Sequence, residues 1–424
     1  MIVRLSTLLF CAALGAGAQQ LREARVPFAG KELIYVYTES TPGSTPAPLL
    51  VLLHPNADAD PAAMRRFATN WQGVPAQRGW RMIIPWAKST GPAVNDAGVK
   101  AIEAVVEDAK TRFPIDPGRV YLAGIGDGGS QVFYLASRVP DLWTAALAIE
   151  GSPRAAMASD RLFGANTSLV PLLWSVRPPD QAAALPLRQT LTAAHYNLQF
   201  RSSAELTIAQ AFLWLAGHSR EQFPRKVDCE SGNARFARCY WVETAKLDPS
   251  LRNDVLRSTR VPPGTRAYLS IGGFGFDPSA PGPGVLIRHL PPGFKGPLSQ
   301  GDRIVALAGR EIRDAQHYMK MLDEMKEERP VALMIERAGK RQRIESRVVL
   351  PKREEVFTAR LQAEYLPDAD EIQVLSRGVA EARLTVPANW APVAVNWNGS
   401  DSGRIAKPGC WVISLAAPAR PCVP

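Results

Sequence analysis

The chain has 424 residues, 46% apolar and 21% charged, with 50 Lys and Arg against 40 Asp and Glu. At roughly 150 residues per domain there is room for two or three domains with cores of their own, and wholesale disorder, which needs low hydrophobicity with high net charge, is excluded. No stretch of about 18 or more apolar residues follows the start, which excludes a polytopic membrane protein, and the net charge of +10 permits acidic partners without demanding nucleic acid.

Arg4 gives a positive start, Leu5 to Leu14 an apolar run and Ala16-Gly17-Ala18 a small-residue cleavage site, the pattern of a secretory signal peptide over residues 1–18. The run is too short to span a bilayer, and Phe10 before Cys11 stands where a lipoprotein signal needs a small residue. A secreted or periplasmic location is expected. Cys229, Cys239, Cys410 and Cys422 then meet an oxidising compartment, where an even number usually pairs. Of the three connectivities possible, the sequence-local one is expected, Cys229 with Cys239 and Cys410 with Cys422, against buried free thiols. No cysteine pair has zinc-ligand spacing with a nearby histidine, so no metal site is expected.

From about 46 to 225 short apolar strands alternate with helical patterns, as a parallel sheet covered on both faces requires. The strands are Leu49–Leu53, Arg81–Pro85, Val120–Gly124, Ala145–Ile149 and Val170–Trp174. The clearest helices run from Gly98 to Phe113, stopped by Pro114, and from Ala204 to Gly217. Residues 19–225 therefore read as a doubly wound α/β domain. After Pro224, residues 227–245 read as a hairpin turning at Ser231-Gly232-Asn233. Strand patterns return after Phe357, so 226–262 and 354–424 are expected to form one small β domain, split by a unit at 263–353; three domains in a row is the alternative. Trp241, Trp390, Trp397 and Trp411 are expected in the β core.

The motifs LLVLLH (49–54) and IDPGRVYLAGIGDGG (115–129), with the helix and strand after them, resemble an α/β-hydrolase of the secreted esterase, polyhydroxyalkanoate depolymerase and feruloyl esterase type. The resemblance implies a hydrolase-like sheet whose nucleophile elbow, G-x-S-x-G, follows the strand Val120–Gly124. Here the elbow reads Gly124-Ile125-Gly126-Asp127-Gly128-Gly129, with Gly126 where the serine should stand; glycine keeps the turn and loses the hydroxyl. Ser130 falls inside the next helix, and Asp127 is placed to stabilise that helix's positive N-terminus. Asp180 stands near the family's acid position. Arg201 stands about where its histidine would be, with His195 too early and His218 after the last helix. After the third strand the family has His-Gly, whereas here His54-Pro55-Asn56 follows; proline has no N–H to donate to an oxyanion, and Asn56 still could.

Gly124, Gly126 and Gly129 also spell G-x-G-x-x-G between a strand and a helix, with Glu150 placed for a ribose hydroxyl. Two strands precede this motif where a dinucleotide-binding unit normally begins, and the flanking text is the hydrolase pattern, so no cofactor is expected.

The unit at 263–353 carries AYLSIGGFGF (267–276), then GVLIRHLPPGFKGPLSQGDRIVALAGREIRDAQHYMKML and PVALMIERAGK. These resemble a PDZ domain of the bacterial, protease-associated kind, a small α+β barrel. The resemblance implies a peptide added as a strand, its terminal carboxylate held by backbone N–H groups of the loop Ile271, Gly272, Gly273, Phe274, Gly275 and Phe276, with a helix from Asp314 to Glu328 as the other wall and His317 near its start. Between Arg288 and Arg353 there are 15 Lys and Arg against 9 Asp and Glu, which suits an acidic ligand or a solvated basic surface. The expectation from sequence is therefore an exported PDZ protein whose hydrolase-like domain is inactive at the usual triad and which acts by binding a peptide or protein C-terminus. The alternative is an active serine hydrolase, esterase or peptidase, with a displaced nucleophile.

Overall fold

The computed structural model describes residues 20–39, 45–56, 58–91, 93–262, 267–277, 280–350, 357–414 and 417–423. The expected signal peptide lies outside the described residues. The chain divides into two compact units, one of residues 1–263 with 356–424 and the other of 264–355.

The first unit is built on a mixed sheet of eight strands, β1 (Gln20–Phe28), β2 (Lys31–Glu39), β3 (Ala47–Leu53), β4 (Arg81–Pro85), β5 (Ile115–Ile125), β6 (Ala145–Ile149), β7 (Leu172–Val176) and β8 (Leu198–Ser202), in the order β1-β2-β4-β3-β5-β6-β7-β8. The strands from β3 to β8 are parallel, whereas β1 and β2 form an antiparallel hairpin turned at Ala29 and Gly30, both at positive φ. That hairpin is an addition to the sequence reading. Its helices are α1 (Pro61–Trp71), α2 (Gly73–Gln77), α3 (Ala87–Thr90), α4 (Asp96–Arg112), α5 (Asp127–Arg138), α6 (Arg154–Ala158), α7 (Gln181–Ala193) and α8 (Ile208–Ala216).

Side chains alternate along a strand, so each apolar run feeds two cores. Leu49, Val51 and Leu53 join Val120, Leu122 and Trp174 beneath α4 and α5, while Leu50 and Leu52 join Tyr121, Ala123 and Phe212 beneath α1 and α8. Two-sided burial is why these strands read as unbroken hydrophobic stretches. The strand expected at Val170–Trp174 starts two residues later, at Leu172. The helix expected from Ala204 is also shorter, because Thr207 and Gln210 form a reciprocal capping box that starts α8 at Ile208 and leaves Ser203–Glu205 as a separate 3-10 turn.

The chain continues through β9 (Lys226–Ser231), β10 (Arg238–Cys239) and β11 (Val242–Leu247). The second unit holds β12 (Tyr268–Leu269), β13 (Gly275–Phe276), β14 (Val285–His289), β15 (Arg303–Leu307), β16 (Arg310–Glu311), α9 (Ala315–Glu324), β17 (Pro330–Arg337) and β18 (Lys340–Val349). After it come β19 (Ala359–Leu366), β20 (Glu371–Arg377), β21 (Val379–Val386), β22 (Val393–Trp397), β23 (Ser400–Ile405), β24 (Gly409–Ser414) and β25 (Arg420–Pro421).

The expected hairpin over 227–245 does not form. β9 pairs with β19 in the sheet β23-β22-β20-β19-β9, while β11 pairs with β21 in the sheet β10-β11-β21-β24-β25. Each strand finds a longer partner beyond the intervening unit, and the Cys229–Cys239 disulfide joins the two sheets. The Cys410–Cys422 disulfide also closes, so the sequence-local pairing holds. Trp241, Trp390 and Trp397 are buried between the sheets.

Glu230 anchors this layer to the eight-stranded sheet. It is fully buried, and its carboxylate accepts hydrogen bonds from Ser258 Oγ at 2.5 Å, Thr259 N–H at 2.7 Å, Thr259 Oγ at 2.7 Å and Thr358 Oγ at 2.6 Å. Its own amide donates to Asn166 Oδ1 at 2.7 Å, and Asn166 Nδ2 donates to Ser137 O on α5 at 2.7 Å.

In the second unit the sheet order is β12-β18-β17-β15-β14-β13, with β16 paired to β15. Ile287, Ile304, Leu307, Leu333 and Ile335 pack against Tyr318, Met321 and Leu322 of α9. The helix ends at Glu324, earlier than the expected Glu328.

Candidate functional site

The turn between β5 and α5 keeps the geometry of an elbow. Gly126 has φ 53° and ψ −116°, and its N–H donates to Ile149 O at 2.9 Å. The glycines around it are imposed by packing: a Cβ on Gly124 would lie 2.4 Å from Gly128 C, one on Gly128 2.5 Å from Leu53 O, and one on Gly129 2.7 Å from Ile149 O. Helix α5 thus lies directly on the strands, which accounts for the G-x-G-x-x-G spacing by contacts of the chain with itself.

Pro55 closes the elbow. Its carbonyl accepts the Asp127 N–H at 3.1 Å, and a Cβ at position 126 would meet that oxygen at 3.1 Å. The amide that follows the elbow position, which a hydrolase uses for the oxyanion, is therefore engaged. Asn56 donates its N–H to His54 Nδ1 at 3.0 Å, its Oδ1 accepts the Asp58 N–H at 2.7 Å, and the His54 ring sits edge-on to Phe67. His54 and Asn56 are thus bound to each other.

The other residues expected at triad positions are dispersed. Asp180 accepts from Arg177 Nε at 2.7 Å. Arg201 is exposed on β8 opposite Ser175. His195 lies at the exposed turn before β8, and His218 Nδ1 is 2.8 Å from Trp214 O beyond α8. Ser130 Oγ donates to Gly126 O at 3.1 Å and accepts from Ser152 N–H at 2.9 Å, which pins the start of α5. Asp127 is exposed in that helix's first turn.

A different pair does meet at the carboxyl edge of the sheet. Glu150, the residue after β6, has φ 53°, an uncommon conformation for a residue with a Cβ. Its N–H donates to Ser175 O on β7 at 2.8 Å, and Ser203 Oγ donates to Glu150 Oε1 at 3.0 Å. Arg177 lies within electrostatic reach: its guanidinium is held above its usual pKa first by the Asp180 hydrogen bond and charge, with a further contribution from Glu150. The sequence weighed Glu150 only as a ribose ligand and missed Ser203. The readable signal was the capping box Thr207-Ile208-Ala209-Gln210, which starts the helix at Ile208 and leaves Ser203 in the turn before it.

In the second unit, Ile271 is buried, Gly272 has φ 100°, and a Cβ on it would meet the Phe294 ring at 2.8 Å. Gly273 and Phe274 lead into β13, where Gly275 pairs with His289 and Phe276 with Ile287. The Phe276 ring stands edge-on to Tyr318 of α9, 6.0 Å between centroids. His317 is engaged locally, its Nδ1 accepting from Arg313 N–H at 3.2 Å and its N–H donating to Asp314 Oδ1 at 2.7 Å. Among the described residues no group of three or more His, Cys, Asp and Glu is placed to hold a metal ion, and no helix is long and apolar enough to cross a membrane.

No family model matches the chain, and no curated protein matches it. Solved structures similar to it include a thermostable esterase, 16% identical over 48% of this chain and 64% of that one, with a TM-score of 0.37. Others are an S-formylglutathione hydrolase of Staphylococcus aureus, 14% identical over 47% of this chain and 97% of that one, TM-score 0.34, and a ferulic acid esterase, 13% identical over 43% and 90%, TM-score 0.36. At these identities the likeness concerns the fold. The expectation of an inactive chain that acts by peptide binding is not carried forward: the similar solved structures bear the names of esterases and hydrolases. The mixed α/β sheet has hydrolase-fold neighbours over about half of the chain, 48% for the esterase.

Proposed function

We propose that this chain is a serine hydrolase, acting on esters or peptide bonds, whose nucleophile has moved from the elbow to Ser203 with Glu150 as its base. The observation that carries this is the 3.0 Å hydrogen bond from Ser203 Oγ to Glu150 Oε1 at the carboxyl edge of the sheet. That edge is where parallel α/β sheets place their ligands, and a positive φ at Glu150 is a backbone strain of the kind that clusters at working sites. In this reading Glu150 takes the Ser203 proton as Oγ attacks the carbonyl carbon, and returns it to the departing alkoxide or amine. Water then cleaves the acyl-serine with Glu150 again accepting a proton. A carboxylate in place of the usual imidazole predicts slow turnover.

The test is labelling of the full chain with a fluorophosphonate probe, followed by mapping of the modified peptide. Label is expected at Ser203, lost in Ser203→Ala and slowed at least tenfold in Glu150→Gln, with p-nitrophenyl ester turnover falling in parallel. Failure of the wild-type chain to label, or undiminished labelling of Ser203→Ala, refutes the assignment.

For the second unit we propose a PDZ-type module that presents a substrate or partner segment as an added strand. What supports it is that β13 ends the sheet order, with Phe276 facing Tyr318 of α9, the open edge beside a helix that strand addition uses. Peptides with a free C-terminus should bind it and their amidated forms should not. Equal affinity of the two forms rules out carboxylate recognition by the loop at Gly272–Phe276.

A further inference from the structure

A cavity of about 730 Å³ lies between α4, the end of α5 and the segment from Arg220 to Glu243. It opens beside Pro117 at the amino end of β5, whereas the elbow follows its carboxyl end, roughly 30 Å of extended chain away at about 3.3 Å per residue. It is therefore separate from the site proposed above.

Its lining carries six basic and four acidic side chains. Three of the basic groups are paired locally: Lys100 with Glu103 at 2.8 Å, Lys110 with Glu107 at 2.7 Å and Arg238 with Asp141 at 2.8 Å. The fourth carboxylate, Glu243, is taken by Arg383 at 2.7 Å. Arg138, whose partner Asp96 lies outside the lining, Arg220 and Arg235 remain.

Arg138 is 1% exposed, its guanidinium lies 4.3 Å over the Phe236 ring, and it reaches Asp96 through Nη2 at 3.3 Å. Its buried Nε has no hydrogen-bond partner. Arg220 donates from Nη2 to Pro117 O at 2.5 Å and packs by Tyr240, and its Nε is likewise buried without a partner. Arg235 is exposed and has no ion pair among the described residues. The two Nε–H groups are buried beside the cavity without acceptors, which is costly, and an oxyanion offers planar or tetrahedral acceptors to the guanidinium groups that line it.

We propose that this cavity binds a small oxyanion, a carboxylate or a phosphate, held by Arg138, Arg220 and Arg235 against the rings of Phe236 and Tyr240. Burial lowers the affinity of both Arg138 and Arg220 for their protons, and a bound anion supplies the charge that offsets it. The inference stands independently of the hydrolase reading.

Isothermal titration of the full chain with sodium phosphate, and separately with sodium benzoate, tests it at ionic strength held constant with chloride. Saturable one-site binding is expected for at least one anion, weakened at least tenfold, about 1.4 kcal/mol, in Arg220→Gln and in Arg235→Gln. Because Arg235 is exposed, its variant keeps the fold, which melting temperature verifies. The preferred anion distinguishes a phosphate-bearing ligand from an aromatic acid. Absence of saturable binding by both anions, or unchanged affinity in both variants, overturns the proposal.

Discussion

Replacing Gly126 by alanine tests whether the elbow is a strained turn closed by Pro55. At φ 53° an L-residue costs about 1–2 kcal/mol relative to glycine. The added Cβ would also stand 3.1 Å from Pro55 O, the oxygen that accepts the Asp127 N–H, so relief of the contact comes at the expense of a hydrogen bond worth about 1 kcal/mol. The two together predict a loss of about 2–3 kcal/mol, or roughly 3–4 °C in melting temperature for a unit of this size. Gly73→Ala is the control: no neighbour lies within 4 Å of the added methyl and φ is not positive, so it should be neutral or stabilising by about 0.5–1 kcal/mol. Calorimetric melting of both variants reads the difference. A Gly126→Ala protein that melts at or above the wild type would refute the strained, closed elbow.

Glu230→Ala removes the acceptor shared by Ser258, Thr259 and Thr358 and should cost about 3–5 kcal/mol, read as a lower urea midpoint; a change below about 1 kcal/mol would show that the anchor is replaceable. Asp302, 2% exposed, gives a pH prediction for the second unit. Burial alone would raise its pKa, but the hydrogen bond from Arg337, the Ser299 N–H and the Arg337 charge together hold it below the usual aspartate value. A depressed folded pKa means that its stabilisation is complete above the unfolded value, about 3.9, and is lost as pH falls through the folded one. Asp302→Asn should therefore lower stability at pH 7 by about 2–3 kcal/mol and flatten the acid limb of the melting profile. An acid limb as steep as the wild type's would assign that limb to other carboxylates.

What could be read in the sequence depended on how local its cause was. Arg81–Pro85 and Ala145–Ile149 were readable to the residue because burial on both faces demands uninterrupted apolar runs. The glycines of the elbow were readable because close helix-on-strand packing leaves no space for a Cβ. By contrast β1, QLREARVPF, alternates charged and apolar residues at the sheet's outer edge, where only Ala24 is buried, and so carried no core signal. The pairings of β9 and β11 were hidden for another reason, since their partners, β19 and β21, lie beyond the second unit.

The candidate site shows the same dependence. The glycine at position 126 is visible in one residue, but the approach of Ser203 to Glu150 needs three separate events: a capping box that starts the helix only at Ile208, a positive φ at Glu150, and parallel pairing that sets β6, β7 and β8 side by side. Each has a sequence basis, and their conjunction has none, because sheet order brings together residues that sequence separates by about fifty positions. An elbow filled by glycine and capped by a proline carbonyl leaves no side-chain nucleophile for hydrolase chemistry at that turn. Whether it has moved is decided at the neighbouring strand ends, where the parallel sheet brings the loops after β6 and β8 to the same edge and a hydroxyl meets a carboxylate.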